Sequence, residues 1–294
     1  MFTLIQTQAT RTGSRLFSLF NYVFLTACAF ACLFPFLSIV GGSFATAGEL
    51  AAKRFVIIPE IFSVEAYRMI FSGGAIPRSL LVSAFITVAG TAINLFFTAI
   101  TAYALSRRGL KGRRWMMLMI VFTMLFDAGV IPHYLLVKQL NMLNTYWAVL
   151  IPGAIAAFNL VLMRNFFMQL PEELFDSAKI DGCNDLSTFW RIVLPLSTAS
   201  LATFTLFYAV GHWNNFFSAF LYLNKPSMWP VQIWLRNILV LATFDLSEMG
   251  VRVDVPSRSL QNAVIVVATL PILVVYPFVQ KYFASGVMVG SVKG

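Results

Sequence analysis

The chain has 294 residues, of which 59% are hydrophobic and 11% charged. A soluble domain carries roughly 25% charged residues, so this sequence lacks the charge to cover a water-facing surface and reads as one polytopic membrane domain. The net charge of +9 does not indicate nucleic acid, because its densest cluster, Arg107, Arg108, Lys111, Arg113 and Arg114, sits in a short loop between two apolar runs, where cations set membrane orientation.

About 20 apolar residues in a helix cross the hydrocarbon core. Six stretches meet that requirement: 16–39, 80–105, 115–130, 146–163, 193–212 and 260–283. Arg11 and Arg15 precede the first, but its apolar part exceeds a signal-peptide core and no clear cleavage pattern follows, so it is read as an uncleaved span. The organisation expected is an N-terminal part, 1–79, holding a cytoplasmic segment, the first span and an outer loop, followed by a core, 80–294. The five-cation loop 106–114 belongs on the cytoplasmic side, and the loop 127–145, with Lys138 its single Lys or Arg, belongs outside. With six spans both termini are then cytoplasmic, in agreement with Arg11 and Arg15 at one end and Lys281 and Lys293 at the other.

The cytoplasmic segment 164–192 is acidic, with Glu172, Glu173, Asp176, Asp181 and Asp185 against Arg164, Lys179 and Arg191. Membrane insertion needs no acids there, whereas a partner surface explains them. Pro171 suits a first helical position and the glutamates favour the positive end of a helix dipole. Leu174, Phe175 and Ala178 form an apolar stripe, and Gly182 can take the left-handed conformation that ends a helix. Asn184 or Asp185 then caps a second short helix ending near Leu194-Pro195. A rigid helical hairpin over 170–195 is predicted.

Three motifs in this segment, Asp176-Ser177-Ala178, Asp181-Gly182 and Ile192-x-Leu194-Pro195, resemble the EAA loop of ABC-importer permeases. There Glu-Ala-Ala is followed by a Gly and later a Leu-Pro; here Asp-Ser replaces Glu-Ala while the spacing is intact. Ala102-Tyr103-Ala104-Leu105-Ser106-Arg107 with Gly112-Arg113, Gly129-Val130-Ile131-Pro132, Leu143-Asn144-Thr145, Arg164-Asn165-Phe166-Phe167, His212-Trp213-Asn214 and the tail from Gly286 to Gly294 resemble the carbohydrate-importer branch, the class of the smaller maltose permease subunit. Within it the chain looks closest to permeases for complex oligosaccharides, such as the smaller permease of an alginate importer.

The resemblance implies an all-α, six-helix ABC importer permease fold of the maltose-transporter type in a bacterial inner membrane. It implies a second homologous permease, two cytoplasmic ATPases that bind ATP and Mg, and an external solute-binding protein, with no cofactor held by this chain. It also implies that Glu172, Glu173, Asp176, Ser177, Ala178, Asp181, Gly182, Leu194 and Pro195 form the element that docks into an ATPase.

Polar groups inside spans are costly and often functional. Asn94 and Asn159 are the mid-span cases, read either as substrate-path groups or as interhelical hydrogen bonds. His212-Trp213-Asn214-Asn215 closes the fifth span; an indole beside amides suits a sugar, and equally an interfacial anchor. Lys225, Arg236, Arg252 and Arg258 in the next outer segment are read as solvated charges interleaved with Asp245, Glu248 and Asp254, and give only faint support to an acidic solute or its binding protein. His133 has no carboxylate or second His beside it in sequence and is read as structural. Cys28, Cys32 and Cys183 make no metal-binding spacing. No HExxH or Gly-x-Ser-x-Gly pattern suggests an intramembrane enzyme, and the scarcity of acids within the spans argues against an ion-coupled secondary transporter. A permease for a non-carbohydrate solute is the other alternative.

Overall fold

A computed structural model describes residues 2–53, 55–243 and 257–286. Every regular element among them is helical, as a lipid environment demands of backbone groups that water cannot satisfy. The chain divides into two compact units, Met1–Ser72 with Leu241–Val267, and Gly73–Val240 with Ala268–Gly294.

The first unit begins with α1 (Phe2–Ser43), whose apolar part Phe17–Ser43 has a mean hydropathy of 2.4. Phe17, Phe20, Phe24, Phe30 and Phe36 are all exposed on it, an outward-facing apolar surface suited to lipid rather than water. Two short helices follow, α2 (Ala47–Ala52) and α3 (Glu65–Ser72), and Thr46 caps α2 by accepting a hydrogen bond from the Glu49 N–H. Between them Phe44 stacks on Phe62 and Tyr67, with ring centroids 4.9 and 5.0 Å away, and Lys53 is paired with Glu49 and Glu60. Gly41 permits the chain to fold back, because a Cβ there would lie 2.2 Å from the Ile57 carbonyl oxygen. Arg258, expected among solvated outer charges, donates instead to the Leu50 carbonyl at 3.2 Å.

The second unit is organised on α4 (Ala75–Ser106), a 32-residue helix. After it come α5 (Arg113–Leu125), α6 (Val130–Gln139), α7 (Trp147–Leu150), α8 (Ala157–Phe167), α9 (Glu172–Ile180), α10 (Asp185–Thr188), α11 (Leu194–Leu196), α12 (Thr198–Trp213), α13 (Phe217–Tyr222), α14 (Val231–Thr243) and the second half of α15 (Arg258–Gly286). The main core gathers Ala99, Ala102 and Tyr103 of α4, Leu160, Met163 and Phe167 of α8, and Phe204 and Tyr208 of α12. Tyr208 and Thr98 also share a hydrogen bond of 2.8 Å. Gly90 makes the α4–α12 approach possible: a Cβ there would sit 2.5 Å from the His212 ring.

Among the described residues, three helices are long and apolar enough to cross a membrane, Phe17–Ser43, Ala75–Ser106 and Arg258–Val275, and two bent pairs bring the number to five if each counts as one span, so the expected count of six is not reached there. In the stretch 115–130, α5 stops at Leu125 and α6 departs at 115°. Gly129, with φ +85°, makes that corner, and its N–H is held by the Asp127 carboxylate at 3.0 Å. The stretch 146–163 is broken between α7 and α8 at Ile151–Ala156, around Pro152 and Gly153. Hydropathy alone sees none of these corners, since each is made by one or two residues within an apolar run. The corner at Asp127 also corrects the reading of His133, whose Nδ1 lies 3.6 Å from that carboxylate and 2.8 Å from the Gly129 carbonyl. Among the described residues, no group of three potential metal ligands forms there or elsewhere.

Candidate functional site

The predicted hairpin exists, and local chemistry accounts for its shape. Pro171 is the residue before the helix, one position earlier than expected, and Glu172 and Glu173 occupy the first turn of α9. The helix ends in a Schellman turn: the Cys183 N–H donates to Ala178 O at 2.8 Å and the Gly182 N–H to Lys179 O at 3.0 Å. Gly182 carries the required positive φ of +75°. Of the two possible caps, Asn184 is the one used, its Oδ1 accepting from the Ser187 N–H at 2.8 Å.

The second arm of the hairpin runs beyond α10 through a π-helical turn, Phe189–Val193, into α11. The Leu194 N–H reaches back to Phe189 O, and Pro195, which has no N–H, follows at once. The arm meets α12 at Ser197 with a bend of 84°. Ser197 is buried, and its N–H is shared between Val193 O and Leu194 O.

Burial splits the hairpin into an anchored face and a free one. Phe175, Ala178, Phe189 and Val193 belong to the main core with Tyr103 and Phe167, and Phe189 is only 2% exposed. Tyr103 packs on Phe189 at 5.2 Å between centroids. The guanidinium of Arg107 lies 4.0 Å from the Phe175 ring centroid, and Arg108 Nε pairs with Glu172 at 2.7 Å. Away from the core, Glu172, Glu173, Asp176, Ser177, Asp181, Gly182 and Pro195 are exposed, with Glu172, Glu173 and Asp176 on the edge nearest the end of α4. The predicted docking residue Ala178 therefore faces the protein's own core, and Leu194 is half-buried.

Two features of the hairpin escaped the sequence reading. Ile180 is 86% exposed, Leu186 57% and Trp190 50%, giving the hairpin three exposed apolar points. The signal was present: Ile180 falls off the Leu174–Phe175–Ala178 stripe, where an apolar side chain has no core to enter. The second is a cavity of about 510 Å³ between the hairpin and the end of α4, lined by Arg107, Arg108, Phe167, Glu172, Phe175 and Lys179 among others. It is the space in which the two basic residues grip the first arm.

The candidate substrate-path residues do not form one constellation. Asn94 is 3% exposed; its Nδ2 donates to Gly153 O at 2.9 Å and its Oδ1 lies 3.1 Å from His212 Nε2. With the amide nitrogen so engaged, Asn94 Oδ1 must accept, and His212 carries its proton on Nε2. A relay thus joins α4, α12 and the break between α7 and α8. Trp213 is buried among Val231 and Ala268, donating its Nε1–H to Ala268 O at 3.1 Å. Asn215 holds the start of α13 by accepting from Ser218 N–H at 3.2 Å. Asn214 is exposed and Asn159 half-buried. Arg236 lies over the rings of Phe216 and Phe220, at 5.2 and 4.7 Å. Asp245, Glu248, Arg252, Asp254 and the tail after Gly286 lie outside the described residues.

A long lipid-suited helix, a bundle broken by corners and a rigid acidic hairpin rooted in its core are the marks of a transport permease. The family of binding-protein-dependent transport system inner membrane components matches residues 95–289, and the chain belongs to it. It is an inner-membrane permease, as the motifs led one to expect. Over 284 residues it is 51% identical to the polygalacturonan/rhamnogalacturonan transport system permease protein YtcP of Bacillus subtilis (strain 168), covering 96% of this chain and 99% of that one. Protein LplC of the same organism is 49% identical over 292 residues, 99% of each chain. A solved bacterial ABC transporter involved in the import of the acidic polysaccharide alginate contains a chain that matches with a TM-score of 0.85 and 33% identity, over 92% of this chain and 97% of that chain.

Proposed function

We propose that the chain forms half of the translocation path of an ATP-driven importer for acidic oligosaccharides, and that the hairpin docks it to a cytoplasmic ATPase. The observation that carries the coupling role is the division of the hairpin: one face is locked into the main core by Phe175 and Phe189, the other presents acids, Ile180 and Leu186 outward. An element that only solvated a membrane surface would need neither the deep anchor nor the exposed apolar points. The partners of this reading are a second permease, two ATPases carrying ATP and Mg, an external solute-binding protein and the surrounding lipid. This chain holds no cofactor and catalyses no step, and the loop 106–114 and both termini face the cytoplasm.

The acidic solute is supported by the relatives. Polygalacturonan is a polymer of a sugar acid, and the alginate transporter is described as importing an acidic polysaccharide. The test is uptake by the complex purified from its own membrane and reconstituted into vesicles with its solute-binding protein. ATP-dependent accumulation of oligogalacturonate or oligoalginate, with reduced or neutral oligomers excluded, is expected. Accumulation of neutral oligosaccharides in preference to the acidic ones would refute the solute; uptake without a co-purifying ATPase would refute the coupling.

A further inference from the structure

Among the basic residues near the hairpin, Arg108 has its carboxylate partner and Arg107 its aromatic ones. Arg113 and Arg164 have neither. Arg113 is the first residue of α5 and Arg164 stands near the end of α8. These helices pack side by side, Met117 and Ile120 of α5 against the core that holds Leu160 and Met163 of α8. Arg164 is fixed by donating from Nε to the Leu105 carbonyl at the end of α4, at 3.0 Å, and from Nη1 to Asn165 Oδ1 at 3.3 Å.

Both side chains are half-buried. No carboxylate among the described residues pairs with either one. The Nη1 of Arg113 is shut off from solvent without a hydrogen-bond partner. A guanidinium cannot shed its charge by deprotonating, and a buried donor on a cation is costly until an anion meets it. Two guanidiniums on neighbouring helices that pack side by side match the oxygens of a phosphate better than those of any neutral group.

The surroundings say which phosphate. One residue after Arg114 the exposed surface of α5 turns apolar, with Trp115 73% and Met119 70% exposed and Phe122 continuing the face. The buried Nη1 is therefore at the border between a polar loop and a lipid-suited helix, the level at which phospholipid headgroups lie, and basic pockets between membrane helices are known headgroup sites. We propose that Arg113 and Arg164 form a binding site for the phosphodiester of an anionic phospholipid, whose acyl chains run along α5 beside Trp115, Met119 and Phe122. The site is independent of which solute is carried.

The experiment uses the complex as purified from native membranes, exchanged into detergent and titrated with phosphatidylglycerol, phosphatidylcholine or inorganic phosphate under native mass spectrometry. Phosphatidylglycerol is expected to bind selectively, and Arg113→Gln to lose roughly tenfold in apparent affinity, the scale of one charge-assisted hydrogen bond. Arg114→Gln, one residue away and exposed, is expected to bind as the wild type does. Equal loss in both variants would reduce the effect to bulk charge and overturn the site. Occupation by inorganic phosphate to the exclusion of lipid would overturn the lipid, as would equal binding of phosphatidylcholine. Because Arg113→Gln can fail to insert, a photoactivatable phosphatidylglycerol is also cross-linked to the wild-type complex. Labelled peptides covering 113–122 and 160–168 are expected; labelling confined to other helices or to a partner subunit would refute the proposal.

Discussion

The hairpin and the Asn94–His212 relay are both polar devices in an apolar protein, yet they are built on opposite plans. In the hairpin each stabilising contact of the turn spans five residues or fewer: the Asn184 cap, the two Schellman hydrogen bonds and the π-turn bond from Leu194 to Phe189. In the relay the contacts span 59 and 118 residues, from Asn94 to Gly153 and to His212. A device made of local contacts carries its own geometry and can act as a rigid part. A device made of distant contacts has geometry only while the helices that bring it together stay packed, so it reports on the bundle and has no shape of its own.

That contrast can be broken at its strongest point by removing the hairpin's anchor. Phe189→Ala should empty a fully buried aromatic site in the main core, costing about 3–5 kcal/mol, and should lower the thermal unfolding temperature of the detergent-solubilised complex more than any substitution on the free face. A small effect would mean that the hairpin is held by its partners and not by this chain.

A middle-sized effect is expected at the turn. No atom lies within 4 Å of a Cβ added at Gly182, so bulk meets no obstacle inside the chain, while φ is +75°. Gly182→Val should therefore cost about 1–2 kcal/mol through left-handed strain and should uncouple ATP hydrolysis from uptake without loss of membrane insertion. Gly182→Asn, which tolerates that conformation, should retain most coupling. If both variants transport at the wild-type rate, the turn is no docking element.

The smallest effect sharpens the other side of the comparison. Asn94→Ala removes an interhelical link of a kind worth about 0.6 kcal/mol on average in membranes, with about 1.7 the upper range. The thermal shift should be slight and the uptake rate for every solute should fall together. A selective change in one solute's uptake would instead make Asn94 a contact in the path.

The same difference decides what could be read from the sequence. Capping, the glycine stop and the apolar stripe are local rules, and they located the hairpin to within a residue at Pro171. Hydropathy located the apolar stretches but not the corners at Gly129, Pro152-Gly153 and Ser197, because a 20-residue window averages over the single residues that bend a helix. The pairing of Asn94 with His212, and the withdrawal of Trp213 into packing with Ala268, depend on which helices are neighbours. Neither apolar periodicity nor composition encodes that. Arg258 illustrates the point: it stands in a run of mixed charge, yet its guanidinium is fastened to a backbone carbonyl 208 residues away.

The 84° corner at Ser197 has a mechanical consequence. A single buried residue joins the hairpin's second arm to α12, and its N–H is already tied to the carbonyls of Val193 and Leu194, in the arm itself. Under the proposed coupling it is the elbow of a bell crank: a push along Asp185–Leu196 would emerge as a sideways swing of the 16-residue helix beyond it. At about 1.5 Å per residue, that arm carries the swing roughly 24 Å to His212. The tight fit of the His212 ring against Gly90 is then the far end of a contact with α4 that Phe204 and Tyr208 begin nearer the elbow.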